Sequence, residues 1–239
     1  MRTPNLEAVP RINYRSIESY TTRPLGVDRA LSHYAINSPV KRGLDILGAS
    51  ALLLLLGPVM AIAALAVMIL DGRPVTYRHR RIGKDGRVFD CLKLRSMRRD
   101  ADRALARILA TSPEARAEWA AYRKLSRDPR ILPLIGGFLR RTSLDELPQL
   151  LNVLTGRMSL VGPRPVTAEE LGAYGDALGH YLAVRPGLSG RWQISGRSDL
   201  SFARRTGLDR AYVETATLAT DLAILARTPL AVILGRGSA

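Results

Sequence analysis

The chain is poor in the residues that announce many common chemistries. Among 239 residues there is one cysteine, Cys91, which excludes an internal disulfide framework and a cysteine-based zinc site and fits a reducing compartment. Three histidines, His33, His79 and His180, are scattered without ligand spacing, so each reads as a surface or hydrogen-bonded residue. Aromatic residues make up 5%, too few for the stacking platforms of a single-strand nucleic-acid binder. No Walker-type or dinucleotide glycine fingerprint occurs, so the common nucleotide folds are not signalled. Acidic residues are also scarce, 21 against 36 lysines and arginines, which leaves a net charge of +15. Such an imbalance calls for a polyanionic partner. Because arginine is spread along the chain with no long basic block, membrane lipids and phosphorylated substrates lead, and nucleic acid is not expected.

What is present is one uncharged stretch, Ile46 to Leu70, interrupted near its middle by Gly57-Pro58. As a helix it would extend about 37 Å, against about 30 Å for a bilayer core. Lys41 and Arg42 precede it, and Arg73, Arg78, Arg80 and Arg81 follow, so both ends favour the cytoplasmic side. Pro58 removes an amide and crowds the Leu54 carbonyl, a defect of about 3 kcal/mol inside a helix. Broken there, each arm is about 17 Å, roughly one leaflet deep. The pattern predicts a re-entrant helical hairpin over residues 41–72, in preference to a proline-kinked span that would carry the basic remainder across the membrane. Residues 1–40, with four prolines and little periodicity, read as a flexible tail. Residues 73–239 read as a compact α+β domain on the cytoplasmic face, with amphipathic interfacial helices.

Within that domain, Val75 to Leu94 reads as two extended segments joined at Gly83-Lys84-Asp85-Gly86. Arg98 to Leu125 is helical in pattern, punctuated at Ser112-Pro113, an N-cap followed by a first-turn proline. A short helix is expected from Gln149 to Leu154, ending at Gly156. Leu218 to Leu234 is apolar, but Asp221, Arg227 and Pro229 make a second span costly, so an interfacial or packed helix is expected.

The densest constellation is Arg140-Arg141-Thr142-Ser143-Leu144-Asp145-Glu146-Leu147-Pro148-Gln149. One reading is a capping box, Ser143 with Glu146 three residues on. Pro148 counts against it, because a helix capped at Ser143 would place the proline beyond the first turn. A start at Asp145 or slightly later sets both carboxylates at a positive helix end. The other reading is chemical: one carboxylate a nucleophile, its neighbour holding a divalent cation, the arginines receiving phosphate oxygens. The residues admit both. Further phosphate contacts could come from Lys93 and Arg95 at a strand end, from Arg164 between two prolines, and from Arg185 and Arg197 around a Pro/Gly-rich loop. Taken singly, each reads as a solvated arginine or lysine; their recurrence in rigid loops is what suggests a site.

From Lys41 to about Gly235 the chain resembles the bacterial sugar transferases, the monotopic polyprenyl-phosphate phosphoglycosyl transferases, and in Tyr77-Arg78-His79-Arg80-Arg81-Ile82-Gly83 and Arg204 to Tyr212 it looks most like their succinoglycan-type galactose-1-phosphate members. The resemblance is carried by Lys41-Arg42-Gly43-Leu44-Asp45, the proline-broken helix, Lys93-Leu94-Arg95-Ser96-Met97, and Arg140 through Gln149. Leu160-Val161-Gly162-Pro163-Arg164-Pro165 and Arg185-Pro186-Gly187-Leu188-Ser189-Gly190 complete it. It implies a bacterial inner-membrane enzyme that moves a hexose 1-phosphate from a UDP-sugar to undecaprenyl phosphate. By the same resemblance Asp145 is the nucleophile and Glu146 holds Mg²⁺. Arg140 then anchors phosphate, Arg164 helps hold the nucleotide-sugar diphosphate, and the membrane helix is re-entrant at Gly57-Pro58. Lys93, Arg95, Arg185 and Arg197 from the strand end and loop above complete the expected substrate-binding set. Gly57 departs from the Ser that many members place before the proline, so no hydroxyl is offered to the freed backbone. The short tail corresponds to the small, single-hairpin form, and a homo-oligomer is compatible with the chain. A basic membrane scaffold and a nucleic-acid-binding module are the rival classes.

Overall fold

The computed structural model describes residues 32, 34, 38–122, 125–196 and 200–233. The tail expected over residues 1–40 falls almost wholly outside these, and Arg197 does so entirely. One helix, α1, runs from Pro39 to Asp71. Ser38 caps it, its hydroxyl accepting from the Lys41 amide, and Pro39 opens its first turn. Pro58 lies inside α1 rather than ending it, because a proline forfeits one ladder bond and kinks a helix without terminating it. The expected division at Gly57-Pro58 thus takes the form of a proline within a continuous helical element. Among the described residues α1 is the one helix long and apolar enough to cross a membrane. Leu47, Leu54, Leu55 and Ile69 all point outward, Leu54 being 83% exposed.

Two stretches of α1 are nonetheless buried, and both face the same globular body. Near the start, Lys41, Asp45 and Ala49 are covered; near the end, Ala63 and Val67 pack with Leu94, Leu132 and Leu139. The Asp71 and Gly72 carbonyls accept from Arg95 Nη2 at 3.0 and 2.7 Å. This cation closes the C-terminal end of the helix, where unpaired carbonyls collect.

An antiparallel hairpin follows, β1 (Thr76–Ile82) and β2 (Val88–Leu94), in the register Thr76 to Leu94 through Ile82 to Val88. Its turn is the expected Gly83–Gly86, with Asp85 and Gly86 both at positive φ. Helices α2 (Ala101–Thr111) and α3 (Pro113–Tyr122) divide at Ser112, whose hydroxyl accepts from the Ala115 amide at 3.1 Å as a cap should. Then come α4 (Gly136–Arg141), a single 3₁₀ turn over Leu144–Glu146, α5 (Gln149–Leu154) and β3 (Ser159–Val161). Short helices α6 (Ala168–Leu171) and α7 (Leu178–Ala183) lead to β4 (Gly187–Ser189), which pairs with β3 in parallel. The chain closes with α8 (Arg191–Ile194), α9 (Phe202–Thr215) and α10 (Leu218–Ile233).

The main core joins Ala49 of α1 to Leu150 and Val153 of α5, Leu160 and Val161 of β3, Tyr212 and Val213 of α9 and Ile224 of α10. α10 is packed through Asp221 and Ile224 while Leu222, Leu230 and Ile233 stay exposed, so the expected packed or interfacial helix is the one found. Parallel pairing of β3 and β4 requires bare backbone: a Cβ on Gly187 would lie 2.1 Å from the Gly162 nitrogen. That close approach explains the glycines in two of the motifs that flank Arg164.

Candidate active site

Asp145 and Glu146 sit in the tight turn between α4 and α5. Ser143, just before it, is left-handed with φ 56° and makes no capping hydrogen bond through its side chain, so the capping-box reading fails here. Nor does a helix begin at Asp145: α5 starts at Gln149, and the dyad belongs to the preceding 3₁₀ turn. What fixes the turn is α5 itself. Asn152, buried, accepts from the Leu92 amide at 3.0 Å and donates to the Asp90 carbonyl at 2.9 Å, which staples α5 to the edge of β2. Lys93, the next residue of β2, thereby reaches the dyad.

Glu146 Oε1 accepts from Lys93 Nζ at 2.8 Å and from Arg164 Nη2 at 3.1 Å. Burial acts to raise the Glu146 pKa, but Arg164 and Lys93 outweigh it and hold the carboxyl well below the usual range. Asp145 is treated in the opposite sense. It is 8% exposed, and burial first, then the charge on Glu146, pushes its pKa up to about 6 against the pull of Lys93, Arg140 and Arg164. Two adjacent carboxylates therefore differ widely in proton affinity, the pattern that separates a reactive carboxylate from one held permanently charged.

Cys91 lines the same small cleft with Lys93, Glu146, Gln149 and Arg164. Burial raises its thiol pKa further, so it remains protonated and does not compete as a nucleophile. His79, opposite Cys91 on β1, is pushed down to about 4 by burial and by the charges of Arg81 and Lys93, and is neutral near pH 7.

Of the sequence-predicted residues, the structure brings together Asp145, Glu146, Lys93 and Arg164, with Arg140 close enough to act on Asp145 electrostatically. Arg95 lies elsewhere, in the clamp on Asp71, Gly72 and α1; its side chain also pairs with the Asp71 carboxylate at 3.0 Å. Arg185 donates its Nε to the Gly156 carbonyl at 2.9 Å. Asn152 is not among the residues the sequence singles out, because its partners, Leu92 and Asp90, are remote in the chain.

The described residues contain no group of three or more metal-ligating side chains. A Mg²⁺ ion does not require one, because it binds through one or two carboxylates and completes its shell with waters and substrate phosphates. Two adjacent carboxylates ringed by phosphate-seeking cations are a donor set of that kind.

Comparison with known proteins decides the family. The model for "Bacterial sugar transferase" matches residues 36–235. The chain belongs to the bacterial sugar transferase family. An exopolysaccharide production protein, ExoY, of Rhizobium meliloti is 48% identical over 203 residues, covering 85% of this chain and 89% of the relative. An undecaprenyl-phosphate galactose phosphotransferase of Salmonella typhimurium is 45% identical over 83% of this chain but only 41% of its own length. For a UDP-glucose:undecaprenyl-phosphate glucose-1-phosphate transferase of Escherichia coli the identity is 40%, over 67% of this chain and 32% of that protein.

Proposed function

We propose that this sugar transferase moves a hexose 1-phosphate from a UDP-sugar to undecaprenyl phosphate at the cytoplasmic face of the bacterial inner membrane, as the first step of an exopolysaccharide. The observation that carries the reading is the buried Asp145 beside a charged, doubly paired Glu146, in a family whose relatives are named for this transfer. In the first step the Asp145 carboxylate attacks the β-phosphorus of the donor. The bond from that phosphorus to the bridging oxygen breaks, UMP leaves, and a phosphosugar is esterified to Asp145. In the second, an oxygen of undecaprenyl phosphate attacks the same phosphorus, and Asp145 departs as a free carboxylate.

A proton affinity above that of an ordinary aspartate makes the ionised carboxylate a better nucleophile, and at about 6 it is still mostly ionised at neutral pH. Lys93 and Arg164 offer their remaining donors to phosphate oxygens while keeping Glu146 charged, and Arg140 adds positive potential beside the nucleophile. Mg²⁺, held by Glu146 with the diphosphate, would neutralise charge on the leaving phosphate. Burial shields the mixed anhydride from water. Relatives are named for galactose and for glucose alike, and galactose or glucose is the sugar we assign here.

The reaction is tested directly by intact-protein mass spectrometry after incubation with UDP-hexose and Mg²⁺. A hexose-phosphate adduct on Asp145 is expected, and its appearance on another residue would overturn the mechanism. Arg164→Ala removes one of two partners of Glu146 and a phosphate donor. It is expected to lower kcat/KM about 10- to 100-fold, mainly through KM, as UMP-release kinetics would show. The pH profile follows from the raised Asp145 pKa. Below about 6 the nucleophile becomes protonated, so kcat/KM should fall about tenfold per pH unit on the acid side and level off above it.

The re-entrant reading of α1 rests on its two attachments. Crossing straight, 33 residues would separate their ends by about 50 Å, with a bilayer core of about 30 Å between them. Yet Lys41 at one end and Asp71 at the other are bonded to the same body, while the apolar middle is exposed. A dip that enters and leaves by the cytoplasmic leaflet accommodates both. Single cysteines placed on each flank of residues 46–70, in a Cys91→Ala background, should both be labelled by an impermeant thiol reagent in inverted vesicles and neither in intact cells. Labelling from opposite faces would rule out the dip.

A further inference from the structure

A second cavity, which shares Arg164 with the cleft at the dyad, is lined by Arg164, Tyr174, Trp192, Phe202, Arg205 and Asp209. Asp209 is 3% exposed. One of its carboxyl oxygens, Oδ2, accepts from the Tyr174 hydroxyl at 3.0 Å, whereas Oδ1 has no hydrogen-bond partner among the described residues. An unmet polar atom at such depth costs stability unless something supplies its partner. The remaining walls are aromatic and cationic. Tyr174 and Phe202 meet edge to face at 5.7 Å, and the Arg164 and Arg205 guanidinium carbons lie 5.9 and 5.0 Å from the Trp192 ring centre. Arg205 is steadied by donating Nε to the Leu200 carbonyl at 2.9 Å.

A buried carboxyl oxygen in need of a partner, a guanidinium fork and aromatic faces together suit a small ring bearing several hydroxyls. Hydroxyls can both give and take hydrogen bonds, and the C–H face of a pyranose packs on aromatic rings. Position narrows the choice. Arg164 and Pro165 line both cavities, and Arg164 touches Glu146, one residue from the nucleophile. On the donor, the group joined through one oxygen to the phosphorus that Asp145 attacks is the sugar, whereas the uridine lies beyond a second phosphate. We propose that this cavity receives the hexose ring of the donor, with Asp209 and Arg205 reading the configuration of its hydroxyls. The assignment rests on the phosphosugar-transfer reading above.

The experiment is UMP release by the full-length protein in detergent, with UDP-galactose, UDP-glucose and their N-acetylated counterparts, for the wild type, Asp209→Ala and Arg205→Gln. Inhibition by UMP alone is measured in parallel. Loss of a group that hydrogen-bonds a substrate hydroxyl should change the ratio of kcat/KM between the two hexoses by at least about tenfold, while the UMP inhibition constant stays within about twofold. Arg205→Gln sits at the edge of the cavity and keeps the test decisive if Asp209→Ala fails to fold. Unchanged sugar ratios in the folded variants would overturn the assignment. So would a rise in the UMP inhibition constant that matches the loss in kcat/KM, since that would give the cavity to the uridine. A wild-type protein that releases no UMP from any UDP-sugar is a separate failure, that of the transfer reaction itself, and the assignment would fall with it.

Discussion

An Asp145→Asn variant should release no measurable UMP, a loss of about 10⁴-fold or more, and should acquire no phosphosugar adduct, yet melt at a higher temperature than the wild type. The two halves have one cause. In the folded protein burial and the neighbouring Glu146 charge raise the Asp145 pKa from 3.8 to about 6. A carboxyl whose folded pKa exceeds its unfolded one costs stability when it ionises. That stability is complete below about 4 and is lost as pH rises through about 6. By linkage the loss is on the order of 3 kcal/mol at pH 8. The uncharged amide does not incur it. Thermal unfolding of both proteins at pH 4 and pH 8 checks the sign: the difference should be near zero at pH 4 and several degrees at pH 8. A variant that is inactive but destabilised at pH 8 would mean that the carboxylate is held by partners that favour its charge. That would remove the basis for its nucleophilicity. Glu146→Gln separates the roles further, because it withdraws the negative charge that helps lift Asp145 and leaves Lys93 and Arg164 unpaired; the acid limb of the pH profile should then move to lower pH.

What could be read in the sequence is what short-range chemistry determines. The β1–β2 hairpin follows from a Gly-Lys-Asp-Gly turn between extended segments, and the α2–α3 division from Ser112 and Pro113. The dyad was legible as a cluster of opposite charges, but the residues alone admitted capping as well as chemistry, and only the left-handed Ser143 without a side-chain cap sets the capping box aside. The residues that hold the site in place were not legible, since their partners are remote in the chain. Nothing local distinguishes Asn152 from a surface amide until β2, sixty residues earlier, lies against it. Asp45 enters the sequence reading only as the last residue of the Lys41–Asp45 motif, yet its Oδ1 accepts from the Leu160 amide and the Ser159 hydroxyl, both at 2.8 Å, and so pins the strand leading to Arg164. Arg42 likewise donates to the Val153 and Leu154 carbonyls, closing the C-terminal end of the helix that follows the dyad. Arg95 was grouped with phosphate ligands because a cation at a strand end suits either task. Only the position of the Asp71 and Gly72 carbonyls gives it to the clamp.

Lys41→Met should cost about 3–5 kcal/mol and loosen α1 from the catalytic body, whereas the double variant Lys41→Met with Asp221→Leu should recover most of that loss. Lys41 is 7% exposed and Asp221 fully buried, with 2.6 Å between Nζ and Oδ2. All three ammonium protons are placed, the other two on the Val161 carbonyl at 3.0 Å and the Tyr212 hydroxyl at 3.1 Å. Tyr212 in turn donates to Asp221 Oδ1 at 2.7 Å, and Tyr34 to Oδ2 at 3.1 Å. A pair this well satisfied is stable as it stands, but removing only the lysine leaves a buried carboxylate short of its counter-ion, which is the expensive state. The asymmetry between single and double variants is therefore the diagnostic, measured by urea unfolding in detergent and by protease cleavage between α1 and β1. Equal losses in both would mean that Lys41 contributes packing rather than charge. Val161 ends the strand that leads to Gly162 and Arg164, so the same variant should also weaken donor capture, raising KM more than it lowers kcat. Through this bond the seating of α1 and the position of Arg164 become one mechanical unit.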